Sequence, residues 1–129
     1  MISLFLATTL APIALQTAAQ SDTPPIRTFD DLPIEQSTPP RCGVAFAIVG
    51  GWQAAGDPRG ANYPDMQSEG GREFFVRSLA NLMDASSLSR ENVEALVRHE
   101  AGQLATQEGL SRVEAMMPAC LLMKRSQGL

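Results

Sequence analysis

Apolar and polar positions divide the chain into three stretches. The first is an apolar run from Met1 to Leu15, broken by Thr8, Thr9 and Pro12, then closed by polar Gln16 and the small residues Thr17, Ala18 and Ala19. No charged side chain occurs before Asp22. An uncharged apolar segment of that length ending in small residues has the form of a secretory signal peptide, so residues 1–19 are predicted to be a signal peptide cleaved after Ala19. A spanning helix would need about 20 apolar residues, more than this run supplies, so no membrane span is expected once the signal is removed. The run has no basic residue in front of it, and a start codon upstream of Met1 would supply one. No cysteine stands near the cleavage point, so lipid attachment is not indicated.

Residues 20–41 follow, rich in proline and acidic overall, with Ile26, Phe29, Leu32 and Ile34 scattered at no helical period. They are predicted to form an extended linker left as a tether after export. The alternative is that Phe29, Leu32 and Ile34 dock onto the domain or a partner.

From residue 42 the pattern turns helical. Cys42, Ala45, Phe46, Val49 and Trp52 share one face, and Val44, Ile48 and Ala55 fill much of the other, which predicts a central helix opening at Pro40. Gly50-Gly51 is its weak point, costing about 1 kcal/mol per glycine against alanine unless a neighbouring helix crosses closely there. A second helix is predicted from Pro64 to about Asp84, with Phe75, Leu79, Leu82 and Met83 as its stripe and Glu73 with Arg77 as an exposed pair.

A third helix should begin at Ser89 as N-cap, with Leu88 and Val93 as a hydrophobic staple, continue through Leu96, Val97, Glu100 or Ala101, and Leu104, and stop at Gly109. A fourth is predicted from the capping box Ser111 to Glu114, carrying Val113, Met116, Met117, Cys120 and Leu121, with a kink near Pro118. No strand alternation is present. The fold class expected is therefore all-α, a compact bundle of about four helices over residues 42–129 with one disulfide.

Composition narrows the function more than the fold. The 129 residues are 44% hydrophobic and 19% charged, which suits one modest domain. Net charge is −4, and the ten basic residues form no block that could track phosphates, so nucleic acid is not an expected partner. An exported chain with two cysteines meets an oxidising compartment, so Cys42 and Cys120 are expected to pair and join the first and last helices.

Other candidate chemistry is sparse, and no cofactor is expected. Met116, Met117, Cys120 and Met123 gather soft sulfur donors that could suit Cu(I), although their spacing is also that of a packed helix stripe. His99-Glu100 begins like a zinc-protease motif, but Gln103 stands where its second histidine should be, so His99 is read as a solvated side chain. Gly50-Gly51 and Gly70-Gly71 lack the lysine and preceding strand of a phosphate loop. Carboxylate pairs such as Asp30-Asp31 lie in the arm or on exposed faces. No catalytic constellation is visible, and the chain is read as non-enzymatic.

The segments Cys42-Gly-Val-Ala-Phe-Ala47, Gly71-Arg-Glu-Phe-Phe-Val-Arg77 and Met117-Pro-Ala-Cys120-Leu121 resemble short exported helical proteins of sphingomonad-type bacteria over most of residues 42–121. That resemblance implies a compartment and no mechanism. Cys42 near a helix start and Ala119-Cys120 are also similar to acid-stress periplasmic chaperones of the HdeA type, which implies a disulfide-closed helical protein opened by acid. The expected function is a periplasmic or secreted protein that binds a protein partner or another envelope component. The alternatives are an acid- or stress-activated chaperone and a Met/Cys copper-binding protein. Intact mass of protein purified from the cell envelope should place the mature amino terminus at or near Gln20; an unprocessed Met1 start in the cytoplasmic fraction would contradict the export reading.

Overall fold

The structure, a computed structural model, describes residues 25–67 and 70–129; the predicted signal peptide and residues 20–24 lie outside the described residues. Among the described residues the chain forms four α-helices and no strand: α1 (Ile34–Ala54), α2 (Gly71–Ser86), α3 (Arg90–Leu104) and α4 (Gln107–Ser126). Single 3-10 segments precede α1 (Phe29–Asp31) and follow it (Pro58–Asn62). The all-α bundle with one disulfide is the fold observed.

Helix α1 is the central element, touching the other three helices and both short segments. Cys42, Val44, Ala45, Phe46, Val49 and Trp52 are buried around it, as a nearly all-apolar helix requires. It begins at Ile34 rather than at Pro40, so Pro39 and Pro40 lie inside the helix. A proline inside a helix removes a backbone bond and crowds the preceding turn, at about 3 kcal/mol. Tertiary burial offsets that cost, because the Pro40 ring and Ser37 are fully enclosed. The Thr38 hydroxyl also donates to the Ile34 carbonyl at 2.8 Å, tying the first turn together.

The linker expected over residues 20–41 is therefore corrected for its described part. Residues 25–33 form a strap against the bundle, and 34–41 are helix. Phe29 is 1% exposed and, with Leu32, packs against Leu82, Val93 and Leu96 in a second core cluster. The strap's turn is self-supporting: the Asp30 amide donates to Thr28 Oγ1, and the Arg27 and Thr28 amides donate to Asp31 Oδ2 at 2.8 and 3.1 Å. Those amides, Arg27 first, hold the Asp31 carboxyl below the usual carboxylate range, because each favours its charged form. Ile34, by contrast, is exposed.

Close helix crossing occurs at Gly43 rather than at Gly50-Gly51. A Cβ at Gly43 would run into the Phe75 ring, whereas Gly51 has open space beside it. Phe46 and Phe74 meet edge to face across the same crossing, with ring centroids 5.2 Å apart.

Helix α2 starts at Gly71, not at Pro64. The intervening loop is held by one side chain of α1: Gln53 Nε2 donates to the carbonyls of Gly60 and Pro64 at 3.0 and 2.8 Å, and its Oε1 accepts from the Met66 amide at 3.0 Å. With those backbone groups satisfied in a loop conformation, helix loses its advantage there. Leu82 is buried in α2 as expected, but Phe74 and Ser78 join it one position off the expected Phe75 and Leu79, which with Met83 are half-buried at the flank. The Glu73–Arg77 pair forms at 2.7 Å on the exposed face.

Helix α3 starts as the sequence indicates, with Ser89 Oγ accepting from the Asn92 amide and Leu88 and Val93 both in the second cluster. It stops at Leu104, short of Gly109, and α4 starts at Gln107, so the Ser111 capping box lies inside a helix and caps nothing. Thr106 makes the junction: its hydroxyl accepts from the Gly109 amide at 3.0 Å and donates to the Gln103 carbonyl at 2.8 Å. Gly109 is needed in the first turn of α4 because a Cβ there would collide with the Gln103 carbonyl and the Leu104 backbone. Helix α4 continues through Pro118 to Ser126 as one helix.

Replacing Phe29 by alanine should cost about 3 to 5 kcal/mol in chemical denaturation, against less than about 0.5 kcal/mol for Ile34→Ala. Equal small effects would restore the reading of this segment as a loose tether.

Candidate functional site

The disulfide fixes where the site lies. Cys42, near the middle of α1, is bonded to Cys120, late in α4, with Cα atoms 5.3 Å apart. Above this bridge, the strap, α1, the end of α3 and α4 leave a cleft of about 430 Å³. Its apolar lining is the disulfide with Leu104, Met116, Ala119 and Met123. Its polar lining comes from every surrounding element: Thr28 and Asp30 on the strap, Thr38 and Arg41 on α1, His99, Glu100 and Gln103 on α3, and Arg112 on α4.

Arg41 organises the electrostatics. Its guanidinium lies 2.6 Å from Asp30 Oδ1 through one terminal nitrogen, and its Nε is 3.2 Å from Glu100 Oε1. The Nε is buried and, despite that distance, lacks the alignment of a hydrogen bond, so the Glu100 contact is an ion pair and no more. The guanidinium also stands 5.8 Å from the centre of the Phe29 ring, within cation–π range. Glu100 is only 7% exposed, and a carboxylate so enclosed needs a nearby cation. Asp30 is different, with 80% of its side chain exposed.

The remaining cleft side chains are less committed. His99, Gln103 and Arg112 are exposed, and Arg112 makes no ion pair among the described residues. The site therefore combines one guanidinium shared between two carboxylates, a second guanidinium on α4, an imidazole, an amide and a sulfur-rich apolar floor.

Of the residues singled out from the sequence, Cys42 and Cys120 are joined. Met116, Cys120 and Met123 face the same cleft, but Met117 points the other way and is fully buried with Val113 in the main core. The four sulfurs thus do not converge, and the Cys120 sulfur is bonded to carbon and sulfur rather than held as a thiolate ligand. Among the described residues no three His, Cys, Asp or Glu side chains are grouped as a metal ion would require.

Arg41 and Arg112 were not singled out by the sequence, and Asp30 and Gln103 entered it only as part of a solvated carboxylate pair and as a departure from a zinc motif. The one signal pointing to them was Glu100, a carboxylate occupying an inward position of the α3 stripe.

A second polar cluster closes the loop after α1. Arg59 stacks over Trp52 at 4.5 Å and is paired with Asp57 at 2.7 Å. The Arg59 guanidinium, then the Arg59 backbone amide, hold the Asp57 carboxyl below its usual range, and Asp57 in turn raises Arg59. Its groups satisfy one another and serve to clamp the loop over Trp52.

No helix among the described residues is long and apolar enough to cross a membrane. Comparison with known protein families, with curated proteins and with solved structures returned no match.

Proposed function

We propose that this chain is an exported, non-enzymatic binding protein of the cell envelope, and that the cleft beside the Cys42–Cys120 bridge receives part of its partner. The observation that carries the reading is the cleft itself. Polar side chains from four separate elements converge over an apolar floor, in a volume within the range of ligand pockets. The disulfide supports an oxidising compartment, where such bonds persist.

The chaperone reading has less support in the folded state. Of the apolar groups that would hold an unfolded client, Phe46 and Trp52 are enclosed in the core and Phe75 and Leu79 are half-buried, so client binding would require the domain to open first. The cleft needs no such opening.

Filling the cleft tests the proposal. Ala119 is exposed and lines it, so Ala119→Trp blocks the space without touching the core. A whole envelope extract should raise the Tm of the fluorescently labelled native protein by a few degrees, because a partner, large or small, that binds only the folded state stabilises it. The A119W variant should melt near the native Tm and gain nothing from the extract. No rise for the native protein, or an equal rise for both, would contradict the proposal.

A further inference from the structure

We infer that the ligand of this cleft carries a carboxylate on an apolar body, and that the Asp30 carboxylate holds its place at Arg41. This rests on the cleft being the binding site, as proposed above.

Three observations lead to it. First, Arg41 already accepts a carboxylate at the rim of the cleft, from Asp30 at 2.6 Å, so the position and approach of such a group are demonstrated by the chain's own side chain. That carboxylate can be exchanged. Asp30 is 80% exposed on its side chain, while the strap is held by Phe29 in the core and by the Thr28 and Asp31 bonds, none of which uses the Asp30 carboxylate. Second, the charges lining the cleft balance, two guanidiniums against two carboxylates, but they are unevenly paired. Asp30 and Glu100 are both engaged by Arg41, whereas Arg112 makes no ion pair among the described residues. A guanidinium is also the side chain best suited to grip a planar carboxylate. Third, the floor beneath these cations is apolar and polarisable, with Leu104, Met116 and Met123 beside the disulfide, which suits an aliphatic body and gives nothing to a highly polar one.

Such a ligand could be a free aliphatic acid or the C-terminal carboxylate of a partner chain ending in an apolar residue. Both present the same chemistry to Arg41 and Arg112. Arg41 itself is a poor test, since its removal would strand the buried Glu100. Asp30 and Arg112 are exposed and can be changed freely.

Titration of the full oxidised chain by NMR and calorimetry separates the outcomes, with octanoate against 1-octanol and acetyl-Leu-Leu against its C-terminal amide. Octanoate should shift the amides of His99, Gln103, Arg112 and Ala119 and bind at least about tenfold more tightly than octanol. R112Q should weaken it about tenfold, and D30N should tighten it about threefold by removing the internal competitor. Binding by acetyl-Leu-Leu alone, lost in its amide, would uphold the carboxylate and assign it to a partner's chain end. Acid and alcohol binding equally well in the cleft would overturn the carboxylate inference while leaving the cleft as the site. Failure of all four probes, or a D30N variant with unchanged affinity, would also overturn it.

Discussion

An almost uniformly apolar helix has to be enclosed on every side, and the rest of this protein is arranged to enclose α1. Helix α2 closes against it at Gly43, where only a missing side chain lets the Phe75 ring come so near. Helix α4 is bonded to it through Cys42 and Cys120, and the strap and α3 cover the remaining side. In a domain this small the hydrophobic core alone gives a modest margin. By the chain-entropy estimate, a cross-link spanning 78 residues contributes about 4 to 5 kcal/mol, comparable with that margin.

The same enclosure produces the cleft. Around the N-terminal half of α1 the strap, the end of α3 and α4 meet over the disulfide without closing completely. The strap and the end of α3 bring in Thr28, Asp30, Glu100 and Gln103, and the bodies of α1 and α4 add Arg41 and Arg112. Arg41 is the point at which stability and recognition meet. It neutralises Glu100 inside the protein and presents the rest of its guanidinium to Asp30 and the cleft.

Features written in neighbouring residues were legible in the sequence. Ser89 with Leu88 and Val93 is a local signature, and α3 starts there. Two cysteines in a chain that opens like a secreted one point to a bridge, and the bridge is present. Features decided across the fold were not. Pro39-Pro40 is locally a helix start, yet the burial of Pro40 and Phe29 extends α1 upstream of it. Ser111 is a cap by its own neighbours, and the contact of Gly109 with the end of α3 moves the start of α4 to Thr106 instead. The loop that replaces the start of α2 depends on Gln53, more than ten residues earlier. In the site, an inward Glu100 could be read as needing a cation, but the pattern gave no means of naming Arg41 as that cation.

Hydrogen–deuterium exchange of the full chain, oxidised and then reduced, addresses the dependence of fold and cleft on α1 and its bridge most directly. The expected result is that amides of α1 from Val44 to Trp52 exchange slowest in the oxidised protein. Reduction should then speed exchange selectively in α4 around Cys120 and in the last turn of α3, where the cleft is built. Faster exchange in α1 than in α2 or α3, or α4 amides that respond no more to reduction than the rest of the chain, would contradict it.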